Sequence, residues 1–209
     1  TVLLAHPSKL RLMIQRRAKT GRLDCQLLAN LLRIDQIPIS YVPPKPYQQL
    51  RDVTRYRSRL VGGQTQTKVG LRALLARHNR EAPFRVPFGP RGLAWFQQQQ
   101  FGEMDDFVRD ELVARLGHYR HEIAAIDQRL TDLSADFPET AAIVGILGIG
   151  LYTSLVIVGE LGEIGRFRYA QQVGAYAGLT ARVRQSGDHC YHGKITRLGS
   201  PWLRWVLVE

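Results

Sequence analysis

The chain has 209 residues, enough to bury a core without disulfides or a structural metal. Its hydrophobic share is 44%, which argues against wholesale disorder, and no run reaches the roughly 18 apolar residues of a membrane span. The two cysteines, Cys25 and Cys190, make no disulfide scaffold, and a reducing, cytoplasmic setting is expected. The formal charge is +11, and it is unevenly spread. Residues 1–80 hold 16 basic and 3 acidic side chains, residues 81–160 hold 6 and 12, and residues 161–209 hold 7 and 3. An arginine-rich first half predicts a polyanionic partner, because the planar guanidinium suits phosphates and base edges.

In chain order, Val2 to Ala5 is an apolar run closed by Pro7 and predicts a buried strand, which needs neighbours to be stable. Ser8 is placed to cap a helix through Leu10, Leu12, Met13 and Ile14. After the turn Lys19-Thr20-Gly21-Arg22, a second helix carries Leu23, Leu27, Leu28, Leu31 and Leu32 on one face. Residues 38–46 contain four prolines and read as an extended connector.

Residues 47–78 then predict a long helix with Arg51, Arg55 and Arg59 on one stripe. Gly62-Gly63 should kink or split it, at a cost of about 1 kcal/mol per glycine against alanine. Residues 83–92 read as a loop. From Phe107 to Leu133 apolar residues recur every three to five positions, a second long amphipathic helix that Pro138 should end. The two long helices predict an antiparallel hairpin, or a coiled coil between chains.

Ile146-Leu147-Gly148-Ile149-Gly150, followed by the apolar stretch from Leu151 to Leu161, resembles a helix-hairpin-helix. Gly148 and Gly150 would permit a tight turn and bring backbone N–H groups to a phosphate. The same pattern also suits a glycine-rich helix connection packed on a core. Further on, a helix should end at Gly178. Ser186-Gly187 lies in an expected loop with Arg182 and Arg184 before it and Lys194, Arg197 and Arg204 after it. A serine among such cations suits nucleophilic attack at phosphorus, although Ser-Gly is also a common turn dipeptide. His189, Cys190 and His192 offer metal-ligand types without a fourth partner. Tyr152, Tyr169 and Tyr176, alternative nucleophiles, sit in apolar helical contexts that favour packing.

Taken together these pieces resemble the insertion-sequence one-ten family of transposases. The matching stretches, in the family's order, are Ala5-His6-Pro7; residues 19–24 with Leu28-Ala29; Leu50-Arg51 through Arg59-Leu60; residues 146–150; Phe167; residues 175–179; Ser186-Gly187; residues 195–199; and Leu203-Arg204. The resemblance implies a mainly α chain in three parts. Residues 1–44 would be the remnant of an α/β RuvC-like (ribonuclease H-like) module. Residues 45–136 would be the helical hairpin or coiled coil, and residues 137–209 an α-rich C-terminal domain with the helix-hairpin-helix and the serine loop.

The family's implied chemistry uses four acids, Asp, Glu, Asp, Asp, to hold a divalent metal such as Mg2+, and a serine that links covalently to DNA. Carried over, Asp24 matches the last aspartate, as catalytic and metal-binding residue, and Ser186 matches the nucleophile. Gly21 stands where the third aspartate is expected. The first two acids would lie upstream of Thr1, so the chain is expected to lack the family's N-terminal part, and the pattern continues past Glu209. The resemblance further implies DNA and a guide RNA as partners and a homo-oligomer; the hydropathy predicts no membrane partner. A catalytically inactive nucleic-acid-binding fragment and a structure-specific repair factor are the alternatives.

Overall fold

A computed structural model describes residues 3–13, 21–187 and 189–209; Val2, Ile14, Lys19 and Thr20 lie outside them. The chain divides into two compact units, Thr1–Pro44 and Lys45–Glu209.

In the first unit, helix α1 (Pro7–Met13) begins one residue before Ser8, with proline supplying the preset φ of a helix start. Helix α2 (Gly21–Arg33) ends at Asp35, whose left-handed φ of 52° lets Gln36 N–H donate to Leu31 O and Asp35 N–H to Leu32 O. The expected buried strand at the start is instead one antiparallel bridge, Ala5 to Ile39. His6 N–H donates to Pro38 O and Ser40 N–H to Leu4 O, each at 2.7 Å. Leu3 and Leu4 are exposed, because a single bridge gives an apolar segment nothing to pack against. Of the leucine face of α2 only Leu31 is buried; Leu28 and Leu32 face solvent.

The second unit is built on two long helices, α3 (Lys45–Arg77) and α5 (Glu103–Leu133), paired antiparallel within the chain. Between them lies the short helix α4 (Pro90–Gln98). At one end of the pair Leu71, Leu75, Val113 and Leu116 pack with Phe88 and Phe96 from the connection. At the other, Leu50 and Leu130 pack with Phe137, Leu155 and Val158. Burying each such side chain stabilises the fold by about 1.5–3 kcal/mol.

Helix α3 runs unbroken through Gly62-Gly63, contrary to the expected kink. At Gly63 the tertiary packing needs the missing Cβ: Tyr119 of α5 occupies its place, with Oη 2.5 Å from where it would stand. Phe107, expected on the buried stripe of α5, is exposed. The helix also ends before Pro138: the backbone tightens into a 3-10 turn at Ser134–Asp136, and Pro138 starts the next helix.

Helices α6 (Glu139–Val144), α7 (Leu151–Leu161), α8 (Ala170–Ala177) and α9 (Pro201–Val208) form the remaining core. Every residue from Ser154 to Leu161 is buried, in keeping with the largely apolar sequence of α7, whose one charge is Glu160. It lies between α3 and α9, and its Val156, Ile157 and Leu161 pack with Ala177 of α8 and Leu203 and Val206 of α9. Between α8 and α9 the chain forms a two-stranded antiparallel hairpin, β1 (Ala181–Ser186) and β2 (His189–Ile195). Among the described residues no helix is long and apolar enough to cross a membrane.

Candidate nucleic-acid interface

Helices α6 and α7 flank a glycine turn at residues 145–150. Gly148 adopts φ 89°, a conformation that L side chains rarely take, so this position requires glycine. Gly150 is extended, with φ −85°; no conformational demand fixes it, and a Cβ there would meet open space. It stands at the N-cap of α7, where no side chain caps the helix, so the first backbone donors of α7 are left for solvent or a ligand. Leu147 at the tip is fully exposed and Ile146 is half exposed. Gly148, Ile149 and Thr153 share a cleft of about 410 Å³ with Trp205 and Val206 of α9. The turn therefore presents apolar side chains and uncapped amides beside the C-terminal helix.

The expected serine loop is the β-hairpin. Its strand register pairs Ser186 with His189 and Arg184 with Tyr191. Directly opposed residues of an antiparallel pair project to the same face, so these four side chains share one. Cys190 and His192 lie on the other face, 3.7 Å apart at Sγ and Nε2. The same alternation keeps His189 from converging with them on one ion. Ser186 ends β1 and is exposed, and Gly187 makes the turn at φ 57°. The register slips between the pairs Ala181–Ile195 and Val183–His192, leaving Gly193 and Lys194 opposite Arg182, a bulge that re-aims the strand. Arg182 is partly committed, donating to Thr196 O at 3.3 Å.

The base of this hairpin is clamped by close backbone crossing. Thr196 N–H donates to Thr180 O and Arg197 N–H to Gly178 O. A Cβ on Gly199 would fall 1.9 Å from Tyr176 O, and one on Gly178 would fall 2.7 Å from Gly199 N. Gly178 ends α8 in the left-handed conformation, as expected. Arg197 is exposed with φ 57°, and Lys194 is exposed on β2. Arg204 donates to Ala177 O at 3.2 Å and is half-buried.

The arginine stripe on α3 turns inward. Arg55 forms a two-pronged pair with the buried carboxylate of Glu160 at 2.8 and 3.0 Å. Arg51 donates to the carbonyls of Gly159 and Glu160. Ser200 caps α9 and also donates to Glu160 at 2.8 Å. Glu160 thus ties α3, α7 and α9 together behind the hairpin base. Arg57 pairs with Asp127 at 2.7 Å and lies 4.1 Å from the ring centroid of Tyr152. That hydrogen bond with Asp127 holds the Arg57 pKa above its ordinary value. Only Arg59 of the stripe remains exposed, near Tyr56.

Among the tyrosines, Tyr152 donates to Thr54 O at 3.0 Å, and burial pushes its phenol pKa up. A buried, protonated phenol is a poor nucleophile. Tyr176 packs against Phe167. Tyr169, expected in the core, is exposed because it stands at the N-cap of α8.

Asp24 lies in the first turn of α2 in the other unit, exposed, three residues from Gly21. Among the described residues no group of three or more His, Cys, Asp or Glu side chains could hold a metal ion. A hard divalent cation wants several oxygen ligands. The described donor set therefore does not fit Mg2+. Sequence reasoning missed His189 and Tyr191 as neighbours of Ser186 and Arg184. The signal was the two residues Gly187-Asp188 between alternating segments, a hairpin spacing.

Residues 141–209 match the family described as Transposase IS116/IS110/IS902 family, and residues 1–79 match the DEDD transposase domain of the IS110 type. The chain belongs to the IS110/IS116/IS902 family of transposases. It is 29% identical over 199 residues to "Putative transposase y4qE" of Sinorhizobium fredii, covering 92% of this chain and 47% of that protein. It is 25% identical over 176 residues to "Probable family 20 transposase" of Pseudomonas aeruginosa, covering 81% and 52%. The chain spans about half the length of these curated relatives. The expectation that the N-terminal part of the family is lacking is corrected: its N-terminal domain matches from residue 1 through α2 and all of α3.

Proposed function

We propose that this chain is the part of an insertion-sequence transposase that holds DNA and presents a serine nucleophile to it. The observation that carries the reading is the hairpin, where Ser186 and Arg184 project from one exposed face above a rigidly clamped base. The family membership supports it. In the proposed step, Ser186 Oγ attacks a backbone phosphorus, the Oγ–P bond forms, and the P–O bond to the leaving sugar breaks. The serine proton ends on the leaving oxygen. Arg184 stabilises the charge that builds on the phosphate, assisted by Lys194 and Arg197. The glycine turn at 146–150 positions the backbone without reading sequence. Joining is the reverse attack by a free sugar hydroxyl.

The resemblance adds a guide RNA, a homo-oligomer and a metal-holding acidic site to this proposal; Asp24 would be one ligand of that site, completed by acids beyond the described residues. The test is made in the full-length transposase that carries these residues. Ser186→Ala should abolish a denaturation-resistant protein–DNA adduct and spare DNA binding, and Arg184→Ala should weaken both. Recombination that survives Ser186→Ala would place the nucleophile elsewhere. A second reading, nucleic-acid binding without chemistry, is favoured by Gly21 at a position of the acidic pattern and by the solitary Asp24. Under it, DNA binds and no adduct forms even in the unsubstituted protein.

A further inference from the structure

Far along the sequence from the β-hairpin, where α3 ends, the second unit contains an open cleft of about 590 Å³. Its lining includes Arg72, Asn79, Arg80 and Glu81 beside the apolar Ala76, Ala82 and Pro87. We propose that this cleft seats one unpaired nucleotide of a nucleic-acid strand, its phosphate between Arg72 and Arg80 and its base or sugar against the apolar wall of Ala76, Ala82 and Pro87. The proposal rests on the nucleic-acid-binding part of the function above, not on the serine chemistry.

Three observations carry it. The first is unneutralised charge. Among the described residues neither Arg72 nor Arg80 forms an ion pair, whereas neighbouring Arg77 pairs with Asp105 at 3.1 Å. Each guanidinium instead lies near a ring, Arg72 at 5.2 Å from Phe88 and Arg80 at 5.0 Å from Phe101. Placement on a ring restrains a guanidinium while its unengaged in-plane N–H groups stay available to a phosphate; Arg80 Nη1 donates to Gln99 Oε1 at 3.2 Å, so its other N–H groups would do this.

The second is a wall that is already formed. A Cβ on Gly92 would fall 1.8 Å from Pro87 O, so the 83–89 connection lies directly on α4. Arg120 of α5 donates to Phe88 O and fixes the same connection from the other side. The third is how α3 ends. Asn79 takes φ 52°, and Arg80 N–H donates to Leu75 O, which turns the chain sharply and brings Arg80 back beside Arg72 in the cleft lining. A mixture of two cations, an amide side chain and an apolar wall suits a nucleotide better than a bare anion or an apolar ligand. The one acid in the lining, Glu81, would oppose the phosphate.

The test measures fluorescence anisotropy of the 209-residue chain with a labelled single-stranded thymidine oligonucleotide, its RNA counterpart, and a duplex, each at two salt concentrations. Arg72→Gln with Arg80→Gln should weaken single-strand binding about tenfold and lower its salt slope by about one to two. Glu81→Gln should tighten it several-fold. Arg77→Gln, outside the lining, should stay within about twofold. In the unsubstituted chain, a photoreactive bromouracil in the strand should crosslink within residues 72–96, a readout that needs no variant to fold. Crosslinks confined to other segments, equal losses for Arg77→Gln and the double variant, or displacement by inorganic phosphate as readily as by the oligonucleotide would each overturn the site. A preference for duplex at this cleft would overturn the unpaired nucleotide. Failure of the unsubstituted chain to bind any nucleic acid at low salt would instead sink the proposed function, and this site with it.

Discussion

Tyr119 of α5 occupies the space that a side chain at Gly63 of α3 would need, its hydroxyl oxygen 2.5 Å from the position of the absent Cβ. The two long helices approach closely here because one of them carries no side chain. The adjacent Gly62 has nothing within 4 Å of its own missing Cβ. The two neighbouring glycines therefore have opposite values to the fold.

Gly63→Ala should destabilise the chain by about 1–3 kcal/mol through overpacking. Gly62→Ala, in a helical conformation that alanine adopts freely, should stabilise it by about 0.5–1 kcal/mol. Urea titrations of the two variants check this. Adding Tyr119→Ala to Gly63→Ala should recover part of the loss, and a simply additive double variant would contradict the contact.

Glu160 is a buried carboxylate whose side chain is 2% exposed, held by Arg55 and Ser200. Arg55→Ala would leave that charge short of its main partner and should cost about 3 kcal/mol or more. Ser200→Ala removes both a helix cap and a hydrogen bond to the carboxylate, for about 1–2 kcal/mol. Arg55→Ala combined with Glu160→Ala should cost less than the sum of the two single changes. Thermal or denaturant unfolding of the set gives the coupling.

His78 Nε2 lies 2.7 Å from Asp105, and this hydrogen bond, helped by Arg77, lowers the Asp105 pKa below its ordinary 3.8. A carboxylate whose folded pKa is depressed contributes stability above its unfolded pKa and loses it as pH falls through the folded value. Thermal midpoints followed downward from about pH 5 should drop more steeply in the unsubstituted chain than in Asp105→Asn. Parallel curves would show that the pair contributes nothing to folding.

The solitary placement of Asp24 makes a further prediction. Calorimetry with Mg2+ or Mn2+ should detect no micromolar site in this chain, since one carboxylate does not satisfy a hard cation. A site of that strength, abolished by Asp24→Asn, would mean that other oxygen ligands gather around it.

The long helices were legible because their signal is local and repeated: the apolar spacing from Leu112 to Leu133 can be satisfied by one helical face. The same holds for the end of α8 at Gly178, for the turn at Gly148, and for the largely apolar α7. Charge was legible as composition but not as availability. Arg51 and Arg55 of the stripe, and Arg57 beside it, look available to a polyanion until the positions of Glu160 and Asp127, 70 to 109 residues away, are known.

By itself, then, the sequence determined the helical periods, the glycine stops, the basic first half and the family's scattered signature. Each of these depends on residues a few positions apart, or on composition. Tertiary structure decided which arginines are neutralised, why a side chain at Gly63 would meet Tyr119 while one at Gly62 would not, and that among the described residues the apolar start forms one bridge, Ala5 to Ile39. It also decided that Ser186 stands on a strand facing His189 and sharing a face with Arg184. Those outcomes rest on contacts between segments far apart in the chain, where burial and close approach outweigh local preference.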